Sequence, residues 1–340
     1  MTASIVGARG YSGLETAKIL LRHSGFKLTH AFATSTFDLS ALLGSEGVKG
    51  VVCLNDDELM DNLTDVVFLA TPAEVSLKLA PQILSAGKKV VDLSGAFRLK
   101  KSDYARWYGF DHHEPAWLER AHFGLVPWAQ PKLETRLVAN PGCFATAVNM
   151  ALIPLLKDSL IEASSLVIDA KSGATGAGKK AAENLLFTEV QGECLPYKIG
   201  KHQHEPEIGE AAERFGGQVI DAHFTTSLLG ARRGIIVGLY ARLREGVDLA
   251  QVEEAYRRAY ANYPLMRTAQ AEQEPQLLQL KKVVGTARTH ITFAAQGSKL
   301  YVFSCLDNLM KGAASQAVEN ANLLFGYPAE TGLTDWEAMI

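Results

Sequence analysis

The sequence lacks several features that would place it in a common functional class. It has no uncharged apolar run of about 18 residues, so no membrane-spanning helix is predicted. Its four cysteines are scattered and form no CxxC pair, which disfavours a zinc ribbon or a dithiol redox motif. Its basic residues occur singly or in pairs and its net charge is only −3, which disfavours binding to nucleic acid or an acidic membrane.

The composition that remains is that of a globular protein. Apolar residues make up 47 % of the 340 residues and charged residues 21 %, and a chain of this length has room for two hydrophobic cores. The first residues have the pattern of a strand rather than that of a signal peptide. We therefore expect a cytoplasmic protein whose cysteines are reduced thiols.

Strands and helices alternate along the first part of the chain. Apolar runs at 27–33 and 66–70 predict strands, and helical patterns follow them, which is typical of a parallel sheet wound with helices. Beyond residue 142 a helix is predicted over 144–157. Longer strands with short links come next, among them 283–293, and these favour antiparallel pairing. The sequence therefore predicts an α/β protein with a nucleotide-binding domain followed by an α+β domain.

A glycine-rich turn joins the first strand to the first helix. Gly7, Gly10 and Gly13 allow a tight turn and a close approach of the backbone to a pyrophosphate, which the helix N-terminus would hold. Ser12 and Glu15 have the spacing of a capping box that starts this helix. The turn departs from the G-x-G-x-x-G pattern at one position, but its place after the first strand favours a dinucleotide site. The candidate cofactor-binding residues of this turn are Gly7, Arg9, Gly10, Tyr11, Ser12 and Gly13.

The end of the second strand indicates which nicotinamide cofactor is bound. NAD enzymes usually place an aspartate or glutamate about 20 residues after the glycines, against the ribose 2′-hydroxyl. Here Thr34 and Ser35 occupy the end of the strand, and the nearest acid is Asp38. Small hydroxyl groups can bind a 2′-phosphate that a carboxylate would repel, so the sequence favours NADP(H).

Cys143 follows a Pro-Gly turn and opens the next predicted helix. The positive end of a helix dipole favours the thiolate, so Cys143 is a candidate nucleophile. A thiolate nucleophile needs an imidazole, and His202 and His204 lie at i and i+2 of an extended segment, with Glu207 placed to orient the second ring. No third ligand accompanies them at a metal-site spacing, so no metal is predicted. A second histidine pair at 112–113 is interpreted as a surface turn.

Together these motifs resemble one family, the N-acetyl-γ-glutamyl-phosphate reductases of arginine biosynthesis, within the semialdehyde dehydrogenase superfamily. The similar stretches extend over nearly the whole chain. They are residues 7–13, 92–94, 97–99, 138–147, 172–173, 176–178, 202–208, 307–309 and 311–314. The cysteine and double-histidine motifs in that order are specific, whereas the glycine turn alone is not.

The resemblance implies a two-domain fold. It places an NADP-binding Rossmann domain at 1–142, joined by a C-terminal helix at 308–340. It places a glyceraldehyde-phosphate-dehydrogenase-like α+β domain, for catalysis, substrate binding and oligomerisation, at 143–307. It also implies NADPH-dependent reduction of N-acetyl-γ-glutamyl phosphate through a cysteine thioester. The expected partners are this small-molecule substrate and further copies of the chain in a homodimer or homotetramer, without nucleic acid or a membrane.

The resemblance also implies roles for individual residues. The family's nucleophile falls on Cys143 and its acid/base histidine on His204, with His202 near the substrate, although either histidine could be the acid/base. Asn308 would lie beside the nicotinamide. The candidate substrate-binding residues are Arg98, the foremost for the substrate's anionic groups, and Glu207, Lys171 and Arg233.

Departures from the family pattern concern the substrate side and keep alternatives open. At 95–96, where the family has an aspartate, this chain has glycine and alanine, and the residues before Arg233 also differ. A reductase of the one-carbon-longer aminoadipate analogue in lysine biosynthesis is one alternative, because a methylene contributes little to discrimination. Aspartate-semialdehyde dehydrogenase is another, but the double-histidine motif argues against it. A cysteine hydrolase would leave the glycine turn without a role, and a silent NADP-binding protein would not need the cysteine and histidines.

Overall fold

A computed structural model of the protein describes residues 1–44 and 46–334. The chain forms two compact units. The first comprises Met1–Gly142 and the described residues from Ala313 onward, and the second comprises Cys143–Gly312. Residues 308–312, which the sequence placed with the terminal helix, belong to the second unit. That helix is also shorter than predicted: it ends at Leu324, and residues 335–340 of the predicted span lie outside the described chain.

The bounds of the elements follow in chain order. The strands are β1 Thr2–Val6, β2 Lys27–Ala33, β3 Val52–Asn55, β4 Val66–Leu69, β5 Lys89–Asp92, β6 His122–Phe123, β7 Leu137–Ala139, β8 Leu166–Gly173, β9 Cys194–Pro196, β10 Ala222–Leu229, β11 Ile235–Arg242, β12 Met266–Gln270, β13 Thr289–Gln296 and β14 Lys299–Leu306. The helices are α1 Tyr11–Leu20, α2 Leu39–Leu43, α3 Ala73–Ser85, α4 Tyr104–Trp107, α5 Pro115–Arg120, α6 Cys143–Lys157, α7 Phe187–Val190, α8 His204–Gly216, α9 Leu249–Tyr260 and α10 Ser315–Leu324.

The first unit is built on a seven-stranded sheet in the order β3-β2-β1-β4-β5-β7-β6. All its strand pairs are parallel, and β4 is buried along its whole length, as expected for a sheet covered on both faces. Helix α3 buries Leu77, Ala80 and Leu84, which recur at helical spacing on one face. The strand order reverses between β1 and β4, which is where open parallel sheets bind ligands. The predicted α/β fold is confirmed.

The second unit is built on a mixed sheet in the order β12-β13-β14-β11-β8-β10-β9. Only the β8–β10 and β12–β13 pairs are parallel, so this sheet differs from the first in topology. Helix α6 is buried from Phe144 to Leu156 because nearly all its residues are apolar and it packs against α8, α9, β11 and β14. This buried helix fixes the position of its first residue, Cys143.

The predicted start of helix α1 is wrong. The helix begins at Tyr11, and Gly10 before it provides no side-chain cap. Ser12 therefore lies within the first turn, and Glu15 forms an ion pair with Lys18 at 2.9 Å instead of completing a capping box. The tight glycine turn lets the helix begin before the serine.

Two other local predictions also need correction, and one strand was not predicted. The strand predicted over 283–293 begins only at Thr289, because Gly285 adopts a φ of +82° in a preceding turn. Strand β10 was not predicted, because its hydroxyl residues mask the apolar pattern. His112 is buried and its Nε2 lies 2.9 Å from the carbonyl oxygen of Ala96, so of the pair at 112–113 only His113 lies at the surface.

Candidate active site

A cavity of about 570 Å³ lies within the second unit. Four separate parts of the chain line it: the start of α6, the end of β8 with the turn after it, the stretch from 184 to 204, and the end of β10. The lining residues are Cys143, Phe144, Ser172, Gly173, Gly176, Ala177, Asn184, Leu185, Leu195, Pro196, Tyr197, Lys198, His202, Gln203, His204 and Leu228. The structure thus brings Cys143, His202 and His204 to one cavity.

Cys143 is half-buried as the first residue of α6, where the positive end of the helix dipole favours a thiolate. Its back is packed against Gly312: a Cβ added to that glycine would lie 2.7 Å from the Cβ of Cys143. On the cavity side, burial and then the charge of Cys143 raise the pKa of Tyr197, whose ring therefore lies within electrostatic range of the sulfur. Cys143 thus packs against Gly312 on one side and lines the cavity together with Tyr197 on the other.

His202 and His204 form a packed aromatic pair. Their ring centroids lie 4.8 Å apart, and Phe144 packs edge-on against both rings, at 5.4 Å and 6.1 Å. The backbone N–H of His204 donates to Nδ1 of His202 at 3.1 Å, which assigns the ring proton of His202 to Nε2. Burial, with the nearby Lys198 charge, lowers the pKa of His202 to about 4. His202 is therefore a neutral imidazole at pH 7, with its Nε2–H as a donor.

Glu207 lies in the first turn of α8 and is 1 % exposed. Its position three residues after His204 places the two side chains on neighbouring positions of the helix surface. Glu207 does not contribute to the described lining of the cavity. Its place in the fold suits support of the His204 ring rather than contact with a ligand.

Asn308 and Arg233 do not line the described cavity, and each belongs to a network of polar contacts next to it, the Asp307–Asn308 frame. The Asn308 carboxamide accepts from the Gly234 N–H at 2.8 Å and donates to Thr175 Oγ1 at 3.0 Å. Arg233 forms an ion pair with the fully buried Asp307 through Nη2 at 2.9 Å and Nε at 3.2 Å. These bonds connect residues 307–308 to the turn at 233–234 and to Thr175, whose neighbours Gly176 and Ala177 line the cavity, so both residues have positioning contacts within the unit.

Lys171 points away from the cavity. Side chains alternate along β8, so the neighbouring Ser172 lines the cavity while Lys171 lies on the other face of the sheet. There it forms an ion pair with Asp169. The structure does not bring this predicted substrate-binding residue to the pocket.

The glycine turn of the first unit forms a backbone cradle at the end of β1. Gly7 has a φ of +82°, and a Cβ added to it would lie 2.3 Å from the Ala70 carbonyl oxygen at the end of β4. A Cβ on Gly13 would lie 2.4 Å from the Gly7 carbonyl oxygen. With no side-chain cap on α1, the N–H groups of its first turn at Tyr11 and Ser12 point toward the space above the turn.

Two further side chains complete this cradle. Arg9 is exposed and its Nη1 donates to Ser35 Oγ, just beyond the end of β2, with Thr34 immediately before it. A dinucleotide fits the arrangement, because the tight glycine turn leaves the N–H groups at the start of α1 without a side-chain cap, and such groups bind a pyrophosphate. Arg98 also lies in the first unit, where its Nη2 donates to the Leu93 carbonyl oxygen at 2.8 Å.

Sequence reasoning missed Tyr197, Lys198 and Gln203 as lining residues. The first two directly follow a short edge strand, and no spacing rule singles them out. Only their closeness in the chain to the histidine pair could have drawn attention to them.

Comparison with known proteins is consistent with this organisation. Residues 2–136 match the family model described as semialdehyde dehydrogenase, NAD binding domain, and residues 143–308 match semialdehyde dehydrogenase, dimerisation domain. The chain is 43 % identical to the N-acetyl-gamma-glutamyl-phosphate reductase of Escherichia coli O157:H7, over 96 % of this chain and 97 % of that protein. It is 38 % identical to the protein of that name from Streptococcus sanguinis, over 98 % of each.

Solved structures share the fold. Aspartate semialdehyde dehydrogenase II of Vibrio cholerae superposes with a TM-score of 0.72 at 18 % identity, covering 96 % of this chain and 98 % of that one. The Francisella tularensis aspartate semialdehyde dehydrogenase gives a TM-score of 0.68 at 14 % identity, covering 96 % and 100 %. Across residues 1–44 and 46–334, no helix has the length and hydropathy that a membrane span requires.

Proposed function

The chain belongs to the family of N-acetyl-γ-glutamyl-phosphate reductases, and we propose that it performs that family's reaction. It would reduce N-acetyl-γ-glutamyl phosphate to N-acetylglutamate 5-semialdehyde and phosphate with NADPH, as a step of arginine biosynthesis. The observation that carries this proposal is one cavity lined by a cysteine at a helix start and two buried histidines. The relatives' names do not favour the aminoadipate or aspartate-semialdehyde alternatives.

The first chemical step belongs to Cys143. Its thiolate attacks the acyl carbon, the bond from that carbon to the phosphate oxygen breaks, and inorganic phosphate leaves behind a thioester. The backbone N–H groups that open α6 are placed to hold the developing oxyanion, since the first turn of a helix has no internal acceptors for them. Gly312 and the Asp307–Asn308 frame keep the sulfur in position.

The first unit would hold NADP(H) through the 7–13 turn, with the pyrophosphate on the N–H groups of α1. The cofactor, when bound, supplies the hydride that reduces the thioester. Arg9 and Ser35 offer a cation and a hydroxyl to a 2′-phosphate, and no carboxylate lies next to them in the strand end. This pair supports NADP over NAD.

The two histidines of the cavity, His202 and His204, would have different roles in proton transfer and hydrogen bonding. His204 would protonate the sulfur as the thiol leaves the reduced carbon, which is general acid catalysis. His202 stays neutral, so it would donate a hydrogen bond from Nε2 without changing charge. We retain Arg98 as an anion-binding candidate, and we reassign Arg233, Asn308 and Glu207 as positioning residues.

We further propose a homo-oligomer, at least a dimer, formed by the second unit. One face of its sheet presents the half-buried Tyr240, Tyr301 and Phe303, with the Tyr240 ring 6.1 Å from each of the other two. Half-exposed clustered aromatics are typical of interfaces. The division of labour is then cofactor binding in the first unit, and catalysis with assembly in the second. The cytoplasmic location stays a prediction.

Rapid mixing of the enzyme with acyl phosphate in the absence of NADPH tests the mechanism. We expect a burst of about one phosphate per active site and an acyl adduct on the peptide that contains Cys143. In reverse, NADP reduction by the semialdehyde should require phosphate or arsenate. Continuous phosphate release without NADPH would indicate a hydrolase, and phosphate-independent aldehyde oxidation would contradict the thioester route.

A further inference from the structure

The cavity has one cationic side chain among its described lining residues, that of Lys198, and burial lowers the pKa of this lysine from its ordinary value. Lys198 is the only lysine or arginine among them, and no aspartate or glutamate accompanies it. The proposed substrate carries a carboxylate and an acyl phosphate, and oxyanions of this kind are bound by cations and N–H donors. The charge of Lys198 is therefore the feature of the cavity that is most specific for an anionic ligand.

The other cations expected for this role in the second unit already have carboxylate partners. Lys171 is paired with Asp169 on the opposite face of β8. Arg233 is paired with the fully buried Asp307, and its own side chain is only 12 % exposed. Each pair is neutral as a whole, so neither adds a net positive charge to the cavity.

Lys198 is an exposed residue of the cavity lining, and its backbone conformation is unusual. Its φ is +46°, in the left-handed region that residues with a Cβ rarely adopt, and such conformations concentrate at functional sites. Its Nζ donates to Oε1 of Gln203 at 2.5 Å, and both residues line the cavity. The carboxamide of Gln203 is uncharged, so an oxyanion that replaces or joins it gains a stronger, charge-assisted bond.

We propose that Lys198 is the cation of the pocket that binds an oxyanion of the acyl-phosphate substrate and so contributes specificity for an anionic substrate. The identity of the substrate rests on the proposed function, whereas the anion site rests on the cavity. Either the phosphoryl group or the α-carboxylate supplies the same chemistry, and the kinetic experiment below distinguishes them. Because His202 next to Lys198 is neutral, Lys198 and not His202 supplies a positive charge at this position of the cavity.

Alkylation of Cys143 tests the site without any assumption about the reaction. Iodoacetate is an anion and iodoacetamide is neutral, so the ratio of their rates at the Cys143 peptide, followed by mass spectrometry, reports the local positive charge. We expect Lys198→Met to lower this ratio about fivefold and Lys198→Arg to preserve it. Lys201→Met is the matched control, because Lys201 is an exposed lysine of the same turn and does not line the cavity. An unchanged ratio in Lys198→Met, or an equal fall in Lys201→Met, would overturn the proposal.

Steady-state kinetics in the reverse direction then assign the oxyanion. Loss of a hydrogen bond to a charged group weakens binding of the ligand by roughly 10- to 100-fold. If Lys198 binds the phosphoryl group, we expect Lys198→Met to raise the KM for phosphate by that factor. If Lys198 binds the carboxylate, we expect the KM for the semialdehyde to rise by that factor instead. In both cases kcat should change far less. Both KM values unchanged would reject the role. If the wild-type enzyme showed no phosphate-dependent reaction while the alkylation ratio still depended on Lys198, the proposed function would fail and the anion site would stand.

Discussion

The candidate sites of the two units differ in whether backbone or side-chain groups form them. In the first unit the cradle is mainly the backbone of seven consecutive residues, 7–13, with glycines where a Cβ would meet a carbonyl oxygen, and only the side chains of Arg9 and Ser35 add to it. In the second unit the cavity is made of side chains contributed by segments that run from Cys143 to Leu228. The first site is a local property of the chain, whereas the second exists only after the mixed sheet and α6 have packed.

This difference predicts opposite sensitivities. A backbone cradle should respond most to added atoms at its glycines and least to truncation of its side chains. A cavity of convergent side chains should respond most to the loss of a reacting group. Four substitutions or conditions test this contrast.

The largest effect is expected for Cys143→Ser in the second unit. A serine hydroxyl is scarcely ionised at pH 7, so thioester formation should stall and turnover should fall by about a thousandfold or more. NADP binding, measured by fluorescence titration, should be retained because the cradle lies in the other unit. Cys194→Ser is the control, since Cys194 is exposed and outside the described cavity lining. More than a few per cent of residual activity in Cys143→Ser would remove it as the nucleophile.

Gly7→Ala should be the most damaging change in the first unit. The added Cβ combines a φ of +82° with a separation of 2.3 Å from the Ala70 carbonyl oxygen, so we expect a loss of about 2 to 4 kcal/mol in the free energy of unfolding and weaker NADP binding. Gly50→Ala separates the two causes. Gly50 has a φ of +90° with no atom within 4 Å of an added Cβ, so it should lose only about 1 kcal/mol. Equal losses in the two variants would mean that close approach to β4 is unimportant.

The buried histidines of the second unit predict a dependence of its stability on pH. Burial is the main cause that lowers the pKa of both His202 and His290 to about 4, below the ordinary value of 6.5. The folded state then binds fewer protons than the unfolded state between these values, so stability is present above about pH 6.5 and is lost as the pH falls toward 4. Each histidine contributes up to about 3 kcal/mol to this loss.

Denaturant unfolding between pH 7 and 4.5 measures this dependence. His290→Gln should flatten the curve, because glutamine does not titrate. His223→Gln, at an exposed position, should leave the curve as it is. A His290→Gln curve as steep as that of the wild type would show that this ring is protonated in the folded state.

The smallest effect is expected for a side chain of the first unit. Arg9→Met should lower kcat/KM for NADP about tenfold and leave that for NAD unchanged, because only the 2′-phosphate needs the guanidinium. Lys27→Met removes a charge from an exposed position at the start of β2 and should change neither value. Equal losses for both cofactors would place Arg9 against the pyrophosphate instead of the 2′-phosphate.

The hydrophobic pattern of the sequence was sufficient to predict the bounds of elements that bury one face or a continuous apolar run. Strand β2 has the predicted bounds, and β4 and α6 differ from the predictions by one residue at one end. Strand β10 was not predicted because Thr225, Thr226 and Ser227 interrupt its apolar run. The capping box failed for a related reason: Ser12 has the right neighbours in sequence, but the backbone path set by Gly10 starts the helix before it.

The sequence alone determined the parallel sheet, the glycine turn and the cysteine at a helix start, because each depends on residues close together in the chain. Tertiary structure decided which charged residues face the cavity. Sequence alone does not distinguish Lys171 from Lys198. Lys171 lies on the face of β8 opposite the cavity, where it pairs with Asp169. Lys198 has a left-handed backbone and donates to Gln203, and both of these residues line the cavity. Long-range packing sets such choices, since the free energy of a charge depends on the partners and solvent that the fold brings to it.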